Sequence, residues 1–380
     1  MPYTNIFGHR SMVFDSYRNK AYCRALEKVV SPSTTLMDLG AGLGVHGFNA
    51  ARLGAARVLL VEPEPVIEIA RKIAADNGLE NVHCLASRVE DLELDEQLDV
   101  IVSVFTGNFL LTEDLLPSLF YARDKYLAPG GRLIPDRARM EVVPVSAPEY
   151  YRKHIQSWSE SARFFAEHEL PIVDYDQVRS FAANALYFDS ADIFATQQLA
   201  LPVPLMEIDF NTATEAACDS EIEVKVCHDG VCHGWLGWFQ MHLVDEWLST
   251  GSAAQPTHWR QVFLPLENPI TLKTGESLRF ALKRPEFGEW TWTTGYGEQS
   301  QRLSTFLSQP LSQSRMHKAS MNYRPELSEH GTAAKWLLTH MSGELSMEEL
   351  TEQVVQQYPS LFASKAEALK FARALASKYS

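Results

Sequence analysis

The sequence predicts an α/β chain: a doubly wound parallel-sheet domain, then an antiparallel β-barrel domain, then a small helical domain. Three observations predict it. From Thr35 to about Val145, short apolar runs alternate with amphipathic stretches of helical period, the pattern of a parallel sheet with helices on both faces. From Leu205 to Leu282 the segments alternate in polarity between turn signals, as half-buried antiparallel strands do. From 331 to 380 the period is helical again.

The early elements follow in order. Met12, Tyr17, Ala21, Tyr22 and Leu26 give the first thirty residues helical faces. A buried strand at Leu36–Leu39 runs into Gly40-Ala-Gly-Leu-Gly44, whose glycines let the backbone turn tightly and approach a ligand. A helix carrying Val45, Phe48, Ala51 and Leu53 follows, and then the strand Val58–Val61, closed by Glu62. An acid roughly 20 residues past such a loop is placed to reach ribose hydroxyls. The loop is Gly-x-Gly-x-Gly, without the dinucleotide spacing. This Rossmann-like arrangement therefore favours S-adenosylmethionine over NAD as cofactor. Val82–Leu85 and Leu98–Val104 read as further strands, Leu115–Tyr126 as a helix, and Ala128-Pro-Gly-Gly131 as a turn into Leu133-Ile134.

The later elements are a helical stretch from Tyr150 to Phe165 and strands at 205–210, 222–226, 235–243, 261–264 and 278–282. Asp229-Gly230 predicts a hairpin joining Glu221–Val226 to Trp235–Phe239. Cys227 and Cys232 would then face each other across it, and zinc would lack two ligands, so no metal is expected. Residues 308–330 read as a linker. Ser346-x-x-Glu349 and Ser364-x-x-Glu367 are capping boxes opening two apolar stripes. With Trp336-Leu-Leu338 these form either a structural appendage or a peptide-clasping module resembling small winged-helix recognition domains.

Composition narrows the class. A hydrophobic share of 46% and a charged share of 22% over 380 residues suit soluble domains with cores of their own. The formal net charge of −14 argues against binding a phosphate backbone. The N-terminus has no continuous apolar core, and no apolar run approaches the ~20 residues of a membrane span. A cytoplasmic protein with no nucleic-acid or membrane partner is expected.

These residues together resemble the protein arginine methyltransferase family over roughly residues 7–285. Arg18-Asn-Lys-Ala-Tyr22, Asp38-Leu-Gly-Ala-Gly42, Val61-Glu62, Ser87-Arg-Val-Glu90, Ile134-Pro-Asp-Arg137, Pro256-Thr-His-Trp-Arg-Gln261 and Leu272-Lys-Thr-Gly-Glu276 carry the likeness. It implies that Arg18 holds the methionyl carboxylate of the cofactor. Asp38, Gly40 and Gly42 would form its loop, with Glu62 at the ribose and Glu90 at the adenine amino group. It also implies that His258 pairs with Asp15, orienting a lid or relaying a proton. The implied domains are an N-terminal helical lid at 1–30, a cofactor domain at 31–145 and a β-barrel at 146–307. A dimerisation arm within Trp158–Val178 would make a homodimer.

One departure bears on the reaction. The family grips the acceptor guanidinium with two glutamates after the fourth strand. Here Glu113 stands at the second position and Val104 at the first. Hydrogen bonds to charged groups are worth about 1.5–3 kcal/mol each, and a buried charge without its partner costs ~3–5 kcal/mol. Asp114 follows Glu113 but is expected to point elsewhere. The sequence thus predicts methyl transfer to a nitrogen or oxygen of a protein, peptide or small-molecule acceptor, with Glu113 as base or orienting acceptor. The alternatives are an arginine methyltransferase with an altered clamp, or a non-catalytic cofactor-binding scaffold.

Overall fold

The computed structural model describes residues 6–189, 197–251 and 253–379. They fall into two compact units, Met1–Pro310 and Leu311–Ser380.

The first unit opens with helices α1 (Ile6–Val13) and α2 (Ser16–Val29). Asp15 separates them and caps α2 by accepting from the Arg18 N–H at 2.9 Å. A parallel sheet follows, formed by β1 (Thr35–Leu39), β2 (Arg57–Val61), β3 (Val82–Leu85), β4 (Leu98–Ser103) and β5 (Leu127–Ile134), in the order β3-β2-β1-β4-β5. Helices α3 (Val45–Arg52), α4 (Ile67–Asp76) and α5 (Leu116–Tyr126) alternate with the strands. The buried runs Leu36–Leu39 and Val58–Val61 pair in register, Leu36 with Val58 and Leu39 with Val61. Because β1 lies between β2 and β4, the strand order reverses there. Ligand crevices form at such a switch point, outside the carboxyl ends of the strands. The glycine loop after β1 and the 104–114 loop after β4 both open onto it.

The chain leaves the parallel sheet earlier than the sequence suggests. Strand β6 (Arg137–Ser146) pairs antiparallel with β11 (Gly230–Leu243) and β9 (Val203–Asp209). The antiparallel part therefore begins near 137, not 146. Its larger sheet also holds β7 (Tyr187–Asp189), β8 (Gln197–Gln198), β12 (Glu246–Ser249) and β13 (Gln261–Leu272). The smaller has β10 (Cys218–Lys225), β14 (Ser277–Arg284), β15 (Thr291–Tyr296) and β16 (Gln299–Ser304), in the order β10-β14-β15-β16. The two sheets face each other across buried aromatics. Trp235 Nε1 donates to Thr294 Oγ1 at 2.9 Å, and Trp292 Nε1 donates to the Pro265 carbonyl at 2.8 Å.

The expected hairpin at Asp229-Gly230 does not form. Strand β10 pairs with β14, and β11 begins at Gly230 in the other sheet. The Asp229 carboxylate instead accepts from the backbone and hydroxyl of Thr274 and from Lys273. These bonds hold the segment crossing between sheets. Cys227 is exposed and Cys232 is buried against the Gly234 carbonyl, so the two thiols do not face each other.

Between β6 and β7 lies a run of short helices, Pro148–Tyr151, Ser157–Ser159, Ser161–Glu167 and Arg179–Ala183. It leaves Trp158, Phe164, Ile172 and Tyr175 exposed.

The second unit consists of helices Gln313–Lys318, Glu329–His340, Met347–Gln357 and Lys365–Tyr379. The first of these lies within the expected linker. Ala333, Leu337, Leu350, Val354, Ala368 and Ala372 form its core. Ser346 and Glu349 make the full capping box. At Ser364 only half the box forms, because Glu367 accepts from Ala363 N–H. Among the described residues this unit has no strand, and so none of the β-wing of a winged helix. Among the described residues no helix is long and apolar enough to cross a membrane.

Candidate active site

The glycine loop is shaped by what surrounds it. Gly40, Gly42 and Gly44 have φ of 71°, 53° and 83°, a region costly for residues with a Cβ. Space is also short. A Cβ at Gly40 would lie 2.2 Å from Phe105 Cε1, and one at Gly42 would lie 3.0 Å from His9 Nδ1. Helix α1 and the 104–114 loop thus close over the two sides of the turn. Four bonds fix its backbone: Gly40 and Ala41 N–H donate to the Val61 carbonyl, Gly42 N–H donates to Glu62 Oε2 at 3.0 Å, and Gly44 N–H donates to the Ala41 carbonyl at 2.7 Å.

Each expected cofactor residue has a definite place. Arg18 is 2% exposed, and its guanidinium bonds to the Met12 carbonyl and the Asn19 side-chain oxygen, both neutral. Among the described residues it makes no ion pair. Burial pushes this guanidinium below its ordinary pKa, yet an arginine stays charged. A buried cation without an acid suits a ligand that brings a carboxylate. Glu62 accepts from Gly42 and Glu64 N–H, one on each oxygen, which leaves lone pairs for hydroxyl donors. Glu90 lies in the turn Val89–Asp91, accepts from the Ser118 hydroxyl and sits 3.6 Å from Arg88 Nε. Asp38 accepts from Gly47 N–H at 2.7 Å, fastening α3 to β1. Burial pushes its carboxyl up to about 7. Its observed partner makes it a support of the loop.

Asp15 and His258 meet across 243 residues. Asp15 Oδ2 accepts from His258 backbone N–H at 2.8 Å and lies 2.9 Å from His258 Nδ1. Burial alone would raise Asp15, but the bonds from His258 and the Arg18 N–H outweigh it and hold the carboxyl low. Burial also lowers His258, so its ring is neutral near pH 7 and donates through Nδ1–H to the carboxylate. This contact joins the loop 257–260 to the helix that carries Arg18.

The 104–114 loop forms the other wall of the crevice, with Phe105 against Gly40. Trp259 Nε1 donates to the Thr106 carbonyl at 2.7 Å, and Arg260 N–H donates to Asn108 Oδ1 at 2.7 Å. Phe109, Leu110 and Asp114 have φ of 48°, 64° and 54°. Such strain persists where packing fixes it. Phe109 is fully buried, 5.5 Å from the Trp290 ring. Gly107 lies against Glu113, whose Cγ would be 2.8 Å from a Cβ there. Helix α5 starts at Leu116 with Leu115 as its cap, so Glu113 lies ahead of the helix. Asp114 pairs with the buried guanidinium of Arg284 and accepts from Phe287 N–H at 3.1 Å. Its carboxylate is therefore engaged by Arg284 and Phe287. Val104 packs against the hydrophobic core.

Sequence reasoning missed Asn108 as the tie to Arg260, Arg284 as the partner of Asp114, and His46. His46 lies two residues past Gly44, which was the available signal. Among the described residues no group of three His, Cys, Asp or Glu side chains converges as a metal site would.

Comparisons with known proteins address the family and the fold. Residues 136–286 match the arginine methyltransferase oligomerization subdomain, and residues 31–195 match a methyltransferase domain. Protein arginine N-methyltransferase 6 of Xenopus tropicalis is 30% identical over 283 residues, covering 71% of this chain and 81% of that protein. Protein arginine N-methyltransferase 1 of Dictyostelium discoideum is 28% identical, covering 72% and 80%. In fold, the chain is similar to the Trypanosoma brucei PRMT1 enzyme–prozyme complex with AdoHcy, with a TM-score of 0.71 at 24% identity over 80% of this chain and 99% of that one. It is likewise similar to Arabidopsis thaliana protein arginine methyltransferase 10, with a TM-score of 0.66 at 22% identity and the same coverage. The chain belongs to the protein arginine methyltransferase family, whose members are S-adenosylmethionine-dependent methyltransferases.

Proposed function

We propose that this chain transfers a methyl group to a nitrogen or oxygen less basic than a guanidinium, on a protein, peptide or small molecule. The observation that carries this reading is the acceptor loop, where Val104 stands at one clamp position, Glu113 at the other, and Arg284 engages Asp114. When bound, S-adenosylmethionine supplies the electrophilic methyl. Arg18 would hold its carboxylate, Glu62 the ribose hydroxyls and Glu90 the adenine, while Gly40 and Gly42 allow close backbone approach. The Asp15–His258 contact keeps α2 and the 257–260 loop together over that site. Methyl transfer is a displacement that depends mainly on alignment, which enclosure by these loops supplies. Glu113 orients the acceptor and takes up its proton.

The exposed apolar side chains Trp158, Phe164, Ile172 and Tyr175 support a homodimer joined through this arm, in a cytoplasmic protein. Family membership favours a second reading, arginine methylation with an altered clamp. Mass spectrometry of cell extract incubated with the protein and methyl-labelled cofactor separates the two. Label on acceptors other than arginine supports the first reading, and label confined to arginine overturns it.

A further inference from the structure

His46 is the second residue of α3, directly past the glycine loop. It is 3% exposed, and its ring stacks on Tyr22 with centroids 4.2 Å apart and planes 25° apart. Neither Nδ1 nor Nε2 has a hydrogen-bond partner among the described residues. Leucine or phenylalanine would fill such a core position without two unsatisfied nitrogens, so the polar ring calls for a partner.

Its neighbourhood indicates which. Tyr22 lies one helical turn from Arg18, on the same face of α2. Helix α3 starts at Val45, and its N-cap Gly44 has no side chain to cap it. Asp38 takes the Gly47 N–H, so only the N–H groups ahead of Gly47 are left to favour an anion. Burial, reinforced by the Arg18 charge, holds His46 well below its ordinary pKa. The neutral ring offers one N–H donor and one acceptor. A buried guanidinium, a helix start whose N-cap residue has no side chain, and an imidazole donor thus cluster beside the glycine loop.

Resting on the S-adenosylmethionine reading of this site, we propose that His46 is a cofactor-binding residue whose ring N–H donates to the aminoacyl carboxylate held by Arg18. The donor's amino-acid end would then be gripped by two side chains, from α2 and α3.

Calorimetry with two ligands tests this. S-adenosylhomocysteine has the aminoacyl end, and 5′-methylthioadenosine has the same adenosine and thioether without it. His46→Leu should weaken S-adenosylhomocysteine about ten- to hundredfold and leave methylthioadenosine within about twofold. His46→Gln, which keeps an N–H donor, should recover part of the loss and covers the case in which the leucine variant fails to fold. Unchanged S-adenosylhomocysteine affinity, or equal loss of both ligands, overturns the proposal. Wild-type protein that binds neither ligand overturns the cofactor reading, and the proposal with it.

Discussion

A single oxygen of Asp15 takes two bonds from His258, one from the backbone N–H at 2.8 Å and one at Nδ1 at 2.9 Å. The other oxygen caps the helix that carries Arg18. Loss of this carboxylate should therefore loosen both ends at once. Asp15→Ala is expected to lower unfolding free energy by about 1–3 kcal/mol, read from urea titration. A double-mutant cycle with His258→Ala should show coupling. Strict additivity would mean that the contact contributes nothing.

The pH dependence of stability has opposed parts. His258 in the folded protein lies below 6.5, its unfolded value, so its contribution is full above that value and is lost as pH falls toward the folded one. Asp15 acts in the same direction lower down, present above 3.8 and lost as pH falls through its lowered value. Asp38 is opposite: raised from 3.8 to about 7, it stabilises fully below 3.8, and that contribution is lost as pH rises through about 7. Asp38→Asn should therefore gain stability relative to wild type between about pH 4 and 7 and stay level above. His258→Asn should flatten the loss on acidification below about 6.5. Chemical unfolding at several pH values reads both slopes.

Gly40→Ala would place a Cβ 2.2 Å from the Phe105 ring at a φ of 71°. The ring would have to move away from the glycine loop, or the loop would have to shift. We expect S-adenosylhomocysteine affinity to fall at least about tenfold, with thermal stability lowered by only a few degrees. Calorimetry and a melting curve check this pair.

Glu113 and Asp114 are adjacent acids with different expected phenotypes. Arg284 is buried, so Asp114→Asn leaves its charge without a partner and should destabilise by about 3 kcal/mol. Glu113→Gln should lower methyl transfer about a hundredfold or more. Methyl transfer that survives Glu113→Gln would remove the role assigned to that acid.

Much of this was legible in the residues. The apolar runs at 36–39 and 58–61 and the glycines between them specify strand, turn and crevice, because a buried parallel strand and a positive-φ turn admit few other sequences. Glu62 was reached from its spacing past the glycine loop, whereas Arg18, Asp15 and His258 were reached only through resemblance, since nothing local to Asp15 marks a partner 243 residues away. The Asp229-Gly230 turn misled because a hairpin signal is local, whereas β10 finds its partner in β14 and Asp229 binds Thr274. The start of the antiparallel part at Arg137 was hidden for a similar reason. An apolar run does not declare which sheet will take it. His46 reads as an ordinary core position until its two bare nitrogens are seen.

The most direct test of the acceptor assignment is labelled-methyl transfer into arginine-rich peptides by wild type and by Val104→Glu, compared at equal S-adenosylhomocysteine affinity. The account predicts little transfer by wild type and at least about a tenfold rise in the variant, the worth of one regained charged hydrogen bond. Efficient arginine methylation by wild type, with no gain on adding the glutamate, would contradict it.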